Sequence, residues 1–337
     1  MRKVRTAVIG TGYLGKFHAE KLANLPQSKL VAVCDINLEM AGTIGNQFHV
    51  QVFNDYHQLV PLVDAVSIAV PTSLHYEIAQ FFIDHGIHVL VEKPITRTLA
   101  EAEALIQMAR KNSVILQVGH LERFNNVIKA IKPKIKNPVF IESLRTAPFQ
   151  LRGTDVNVVL DLMIHDIDII GSLVQSPITH ISASGAPLLS SHIDIASARI
   201  EFANGCAANV TANRVGLKKE RRIQVYQHDS YINLDLNRKK FSIHRKGEKE
   251  MFPGIPEITH SQFQLEPGDA LSDQLAAFIQ AIINHQDPIV TGEDGKQALA
   301  TAIQISDIVF KNMNHHSLHQ TIPPAKLVIE DSALIDG

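Results

Sequence analysis

The stretch Gly10-Thr11-Gly12-Tyr13-Leu14-Gly15 constrains this chain more than any other, because it follows an apolar β-branched run, Val4–Ile9, and opens a helical pattern, Leu14–Leu25. Glycines at this spacing permit a tight turn at Gly10, a close approach of backbone to a pyrophosphate at Gly12 and close helix–strand packing at Gly15, while the helix N-terminus turns its amides toward the anion. About twenty residues later Asp35 ends the next apolar run, where a carboxylate accepts hydrogen bonds from an adenosine ribose. Ile36 and Asn37 follow it and offer no cation for a 2′-phosphate, so the pattern predicts NAD in preference to NADP.

The same rhythm continues to about residue 120. Strands are expected at Val4–Ile9, Leu30–Asp35, Ala65–Val70, His88–Glu92 and Val114–Val118, and helices at Leu14–Leu25, Leu74–His85 and Leu99–Lys111, which is how a parallel sheet covered by helices reads. Thr98 with Glu101 forms a capping-box pattern, and Gly86 stands where a helix closes on a left-handed residue. Ligands of such sheets sit at the carboxyl ends of the strands. The cofactor residues are therefore expected among Gly10, Thr11, Gly12, Tyr13, Leu14, Gly15, Asp35, Pro71, Thr72, His75, Glu92, Lys93 and Gln117, with His75 open to the alternative of a surface residue on a helix's first turn.

Past residue 120 the text changes. A helix at Phe124–Ile131, a strand at Val139–Leu144 and a long apolar helix at Val156–Val174 lead into short strands at His180–Ser184, Ala196–Phe202, Ala207–Ala212, Arg222–Gln227, Tyr231–Leu236 and Lys240–His244. Helices at Ser272–Asn284, opened by Ser272, and Gly295–Phe310 close the chain. The expected class is α/β: an N-terminal Rossmann domain, residues 1–120, and a C-terminal α+β domain, residues 121–337, with a large, mostly antiparallel open sheet.

Composition narrows the partners. Lys and Arg total 32 against 34 Asp and Glu, a net charge of −2, so no global field favours nucleic acid or an anionic membrane, and a small molecule is the expected partner. Neither Cys34 nor Cys206 belongs to a metal or redox spacing, and no signal-peptide pattern or apolar window of membrane length occurs; a cytoplasmic protein with packed thiols is expected.

Chemistry is read at two places. Lys93 follows the apolar run His88-Val89-Leu90-Val91 and precedes Pro94, so its ammonium projects from a strand end toward the crevice, where desolvation lowers its pKa; the alternative is a snorkelling surface lysine. On the apolar helix, Asp161, His165 and Asp168 stand at i, i+4 and i+7, which places an imidazole between two carboxylates that raise its pKa and suit it to exchange a carbinol proton. A metal site and a satisfied core histidine are the alternatives; no second histidine accompanies His165 on that helix, and no metal is expected.

Together, Gly10–Gly15, Glu92-Lys93-Pro94 and Asp161-x-x-x-His165 resemble the Gfo/Idh/MocA family of sugar and polyol dehydrogenases over nearly the whole chain. The resemblance implies that Lys93, Asp161 and His165 are catalytic and contact substrate, with Lys93 or His165 as the base, that Pro94 is cis, and that NAD takes a hydride from a ring carbinol. It also implies a homodimer or homotetramer formed through the C-terminal sheet. Gly119-His120-Leu121-Glu122-Arg123-Phe124-Asn125 is similar to the variant in members that oxidise nucleotide-linked amino sugars such as UDP-N-acetylglucosamine at C3. Arg123, Arg145 and Arg152 are then candidate ligands of a substrate diphosphate, or else surface and subunit-contact residues. A free sugar or an inositol is the alternative substrate, and a non-catalytic dinucleotide-binding sensor the alternative of another class. The basic stretches Lys218–Arg222 and His244–Lys249 read as solvated hairpin tips.

Overall fold

The computed structural model describes residues 3–150 and 156–317, with side chains to Met313; Arg152 lies outside the described residues. The first half builds β1 (Val4–Ile9), α1 (Gly15–Asn24), β2 (Ser28–Cys34), α2 (Leu38–Phe48), β3 (Gln51–Phe53), β4 (Ala65–Ile68), α3 (His75–Asp84), β5 (His88–Glu92), α4 (Leu99–Lys111) and β6 (Leu116–Gly119). All six strands pair in parallel in the order β3-β2-β1-β4-β5-β6. The order reverses between β1 and β4, and there the crossovers part to opposite faces and leave a crevice at the carboxyl edge. Four residues of β4 and four of β6 are all buried, as a sheet covered on both faces requires.

Local signals place the helices. Thr98 and Glu101 form the capping box of α4, and Gly86 closes α3 at φ 72°. The sequence pattern does not announce α2 and β3: α2 buries only Ala41, Ile44 and Gly45, too thin an apolar stripe to read, and its start is fixed by Asn37, whose side chain accepts from the amides of Glu39 and Met40.

The second half adds α5 (Asn126–Ile131), β7 (Phe140–Thr146), a π-helical turn (Val159–Met163), α6 (Ile164–Val174), β8 (Ile178–Ala186), β9 (Ile195–Phe202), β10 (Ala207–Asn213), β11 (Glu220–Tyr226), β12 (Ser230–Asp235), β13 (Lys240–Phe252), β14 (Ile255–Gln264), α7 (Ala270–Asn284) and α8 (Gly292–Ser317). Its eight strands order as β14-β13-β12-β11-β7-β10-β9-β8, antiparallel except for the β10–β7 pair. One face of this sheet buries Ile141, Ala198, Val210, Ile223 and Val225 in one core with Met163, Ile164 and Ile167.

The structure corrects three details. His244–Lys249 lies within β13 and pairs with β14, so it is strand and not a hairpin tip. Asp269, not Ser272, caps α7, accepting the Ser272 amide at 3.0 Å. The helix expected from 156 to 174 opens as a π-turn, so Asp161 lies in that turn while His165 and Asp168 lie in α6.

The closing helices tie the two sheets together. Leu275, Phe278, Ile279 and Ile282 of α7 share a core with Val8, Leu22 and Leu90 of the first half. Helix α8 contributes Ala302 and Ile305 to the second core and Leu299 to the first. Its close approach needs Gly295, where an added Cβ would lie 2.7 Å from Val118. Among the described residues no helix is long and apolar enough to cross a membrane.

Candidate active site

The glycine loop has the shape its spacing predicts. Gly10 adopts φ 86° with the main chain of Ala69 2.5 Å from where a Cβ would stand, and a Cβ on Gly15 would strike the Gly10 carbonyl at 1.7 Å. A Cβ on Gly12 meets nothing within 4 Å, so the space above that backbone is open. Among the described residues no side chain caps the start of α1 and no acidic residue occupies its first turn, which leaves its amides to an anion. Asp35 stands just beyond β2 and accepts the amide of Thr11 at 2.6 Å, the Thr11 hydroxyl at 3.0 Å and the Asn37 amide at 2.9 Å. Its carboxylate fixes the loop, and Thr11 is buried beneath it. Tyr13 and Leu14 are exposed on the loop's outer side, as is Ile36 beside Asp35. Open backbone over a bare helix N-terminus with an acid at the neighbouring strand end fits a dinucleotide.

The other strand ends form the crevice floor. Pro71 is exposed and Thr72 half-buried after β4. His75 does not line the crevice: it is buried, its Nδ1 2.9 Å from the Pro94 carbonyl and its Nε2 3.0 Å from that of Val70. Burial lowers its pKa against the pull of the two carbonyls, and the neutral ring donates to one of them at a time. Gln117 is likewise turned away, donating to the Gln274 carbonyl of α7 at 3.1 Å. Glu92 is held beneath the floor, 3.2 Å from Nε2 of His18, whose Nδ1 lies 2.7 Å from the Ser67 hydroxyl. Burial pushes the Glu92 carboxyl up, but His18 and Lys93 outweigh it and hold the group below its ordinary range. Gly119 packs closely beside it, since a Cβ there would come within 2.6 Å of the Glu92 carboxylate.

Lys93, preceding the cis peptide to Pro94, reaches across to the π-turn. Its Nζ donates to the Asp161 carbonyl at 2.8 Å and lies 3.6 Å from Oδ1 of Asp161, with 17% of the side chain exposed. Desolvation lowers its pKa, Asp161 and Glu92 partly restore it, and Arg145 lowers it further. His165, one turn on, is partly exposed, and its enclosed Nδ1 has no partner among the described residues. The expectation that carboxylates raise its pKa is overturned: burial first, then the charges of Lys93, Arg145, His120 and Arg221, hold it well below 6.5. Asp161 lies beside Lys93, and Asp168 is gripped by Arg123.

Arg123 and Arg145 are not free for a diphosphate. Nε and Nη2 of Arg123 grip Asp168 at 2.7 and 2.8 Å, and Nη2 also reaches Asp294 at 3.3 Å. Arg145, 2% exposed, holds Asp166 at 2.7 and 2.9 Å and Glu122 at 3.1 Å. These forks fix α6 to β7 and to the segment after β6. Sequence reasoning missed His120, buried after β6 with neither ring nitrogen partnered among the described residues, and its low pKa follows from burial. The available signal was its place one residue past a strand end, level with Lys93 because Glu92 pairs with Gly119.

Two family descriptions match the chain. "Oxidoreductase family, NAD-binding Rossmann fold" fits residues 4–120, and "GFO/IDH/MocA C-terminal domain" fits residues 146–232. A UDP-N-acetylglucosamine 3-dehydrogenase of Acidithiobacillus ferrooxidans is 35% identical over 90% of this chain and 97% of its own length. The chain belongs to the Gfo/Idh/MocA family. The crystal structure of that relative superposes with a TM-score of 0.87 over 92% of this chain and 98% of the other. A scyllo-inositol 2-dehydrogenase (NAD(+)) of Bacillus subtilis is 28% identical over 89% of this chain and 92% of its own length. As a Gfo/Idh/MocA member the chain is an oxidoreductase, and NAD is the dinucleotide of its Rossmann half.

Proposed function

We propose that the chain is an NAD-dependent dehydrogenase oxidising a secondary alcohol of a nucleotide sugar, with UDP-N-acetylglucosamine oxidised at C3 as the leading substrate. The observation that carries the reading is the meeting of Lys93 and His165, both with lowered pKa, at the strand-end crevice beside an open glycine loop. The relative named for that substrate supports it at 35% identity. NAD, when bound, takes up the hydride. Lys93 is the better base, because its pKa moves down toward neutrality while that of His165 moves down away from it. The neutral Lys93 amine takes the carbinol proton, and the ammonium so formed is stabilised by Asp161. His165 stays neutral and orients the hydroxyl by a hydrogen bond.

Residues 1–120 form the NAD-binding domain in this reading, and residues 121–337 bind substrate and mediate assembly. The outer face of the second sheet carries a ladder of Tyr226, Tyr231, His244 and His260, which suits a homodimer or homotetramer formed through that face. Two buried free thiols, Cys34 and Cys206, fit a cytoplasmic setting.

The test is absorbance of reduced nicotinamide with NAD and a panel of UDP-N-acetylglucosamine, UDP-glucose, N-acetylglucosamine and inositols. Turnover of the UDP sugar alone is the expected result. Turnover of inositols instead would move the chain toward the Bacillus subtilis relative's chemistry, and dinucleotide binding with no turnover of any alcohol would make it a sensor.

A further inference from the structure

The basic stretch before β12 divides across the sheet. Arg222 points outward with the polar face, whereas Arg221 shares its side with the buried Ile223 and Val225. Arg221 stands directly opposite Arg145 in the β11–β7 register. Like charges so placed repel, and Glu122 reconciles them: its Oε1 accepts from Nη1 of Arg145 at 3.1 Å and from Nη1 of Arg221 at 2.8 Å. The two guanidiniums then differ. Arg145 is enclosed and engaged on both edges, while Arg221 keeps 41% of its side chain exposed with Glu122 as its ion-pair partner among the described residues, so Nε and Nη2 remain open donors.

Arg221 is also the outer end of a chain of charges that leads into the crevice. Glu122 follows His120 by two residues, and Asp166, the other partner of Arg145, follows His165 by one. Three enclosed nitrogens, both of His120 and Nδ1 of His165, have no partner among the described residues.

We propose that Arg221 binds the diphosphate of the substrate, its open guanidinium edge taking phosphate oxygens while the sugar lies over Lys93 and His165. A planar pair of N–H donors matches phosphate oxygens, and Glu122 fixes the plane of the group before substrate arrives. The assignment rests on the nucleotide-sugar reading above and gives it the cation that Arg123 and Arg145 cannot supply.

UDP, a diphosphate without a sugar, is the probe, titrated calorimetrically into the full chain with NAD bound. Wild type binds UDP, Arg221→Gln weakens it by about tenfold or more, Arg221→Lys recovers part of the loss, and Lys218→Gln changes little. KM for UDP-N-acetylglucosamine rises with the UDP Kd, whereas any response to N-acetylglucosamine is unmoved. NAD affinity and circular dichroism confirm that each variant is folded, and Arg221→Lys carries the test if Arg221→Gln is not. No UDP binding by wild type, equal UDP affinity in wild type and variants, or an equal loss for the neutral sugar overturns the assignment. Turnover of UDP-N-acetylglucosamine with an unaltered KM in Arg221→Gln defeats it and leaves the enzymatic reading standing. Arg221-dependent UDP binding without turnover of any alcohol does the reverse.

Discussion

Two clusters of buried polar groups meet at α6, and they are built on opposite terms. Toward the crevice, Lys93, His120 and His165 all have lowered pKa, and three imidazole nitrogens lack partners among the described residues. Behind them, Arg123 and Arg145 are closed by Asp168, Asp294, Asp166 and Glu122 at 2.7–3.3 Å. An unpartnered buried polar group costs about 1–3 kcal/mol, so a fold retains such groups side by side where a ligand completes them. The satisfied cluster supplies the rigidity that lets the unsatisfied one persist. Helix α6 shows the division residue by residue, with His165 in the first cluster and Asp166 and Asp168 in the second.

The contrast breaks most visibly at Arg145. Arg145→Met leaves Asp166 without its fork and Glu122 without one of its two arginines, and a loss of about 3–5 kcal/mol is expected in urea unfolding. Unchanged stability would mean that the ion pairs are not what holds α6. Lys93→Met should do the opposite, lowering kcat by roughly a thousandfold while the melting temperature holds or rises, since a desolvated ammonium is removed. A variant that melts early and keeps its turnover would reassign Lys93 to the framework.

Acid should separate the clusters by pH window. His75, His120 and His165 have folded pKa values below the ordinary 6.5, so below that pH the unfolded chain binds protons that the native chain does not. Stability therefore falls as pH drops through about 6.5, by up to ~1.4 kcal/mol per pH unit for each histidine. Glu92 and Glu122, held below 4.5, add their loss only in the carboxylate range beneath. His120→Asn should flatten the upper slope and leave the lower one; a flat profile between pH 6.5 and 5 would contradict the buried neutral rings.

The smallest effect is expected at Gly12 of the glycine loop. Gly12→Ala adds a Cβ into open space and should weaken NAD by about tenfold, near 1.4 kcal/mol, with no change in melting. Gly15→Ala, facing a carbonyl at 1.7 Å, should instead lower the melting temperature. Fluorescence titration with NADH and a thermal scan of both variants tell the two glycines apart.

By itself the sequence determined the parallel sheet, its glycine loop, Asp35 as the acid after β2, Lys93 at a strand end, and the antiparallel second sheet. Each is written in a short window, as glycine spacing, β-branched runs or a cap such as Thr98 with Glu101, and local sterics and hydrogen bonding read such windows directly. Tertiary structure decided the rest. Asp161 pairs with Lys93, and Arg123 and Arg145 found internal partners in Asp168 and Asp166. His75 and Gln117 turned from the crevice, while His120 and Arg221 came near enough for their charges to act on His165. A charged or polar side chain is governed by whichever groups lie within a few ångströms across the fold, and residues 145, 166 and 122 come together only when β7, α6 and the end of β6 pack on one another.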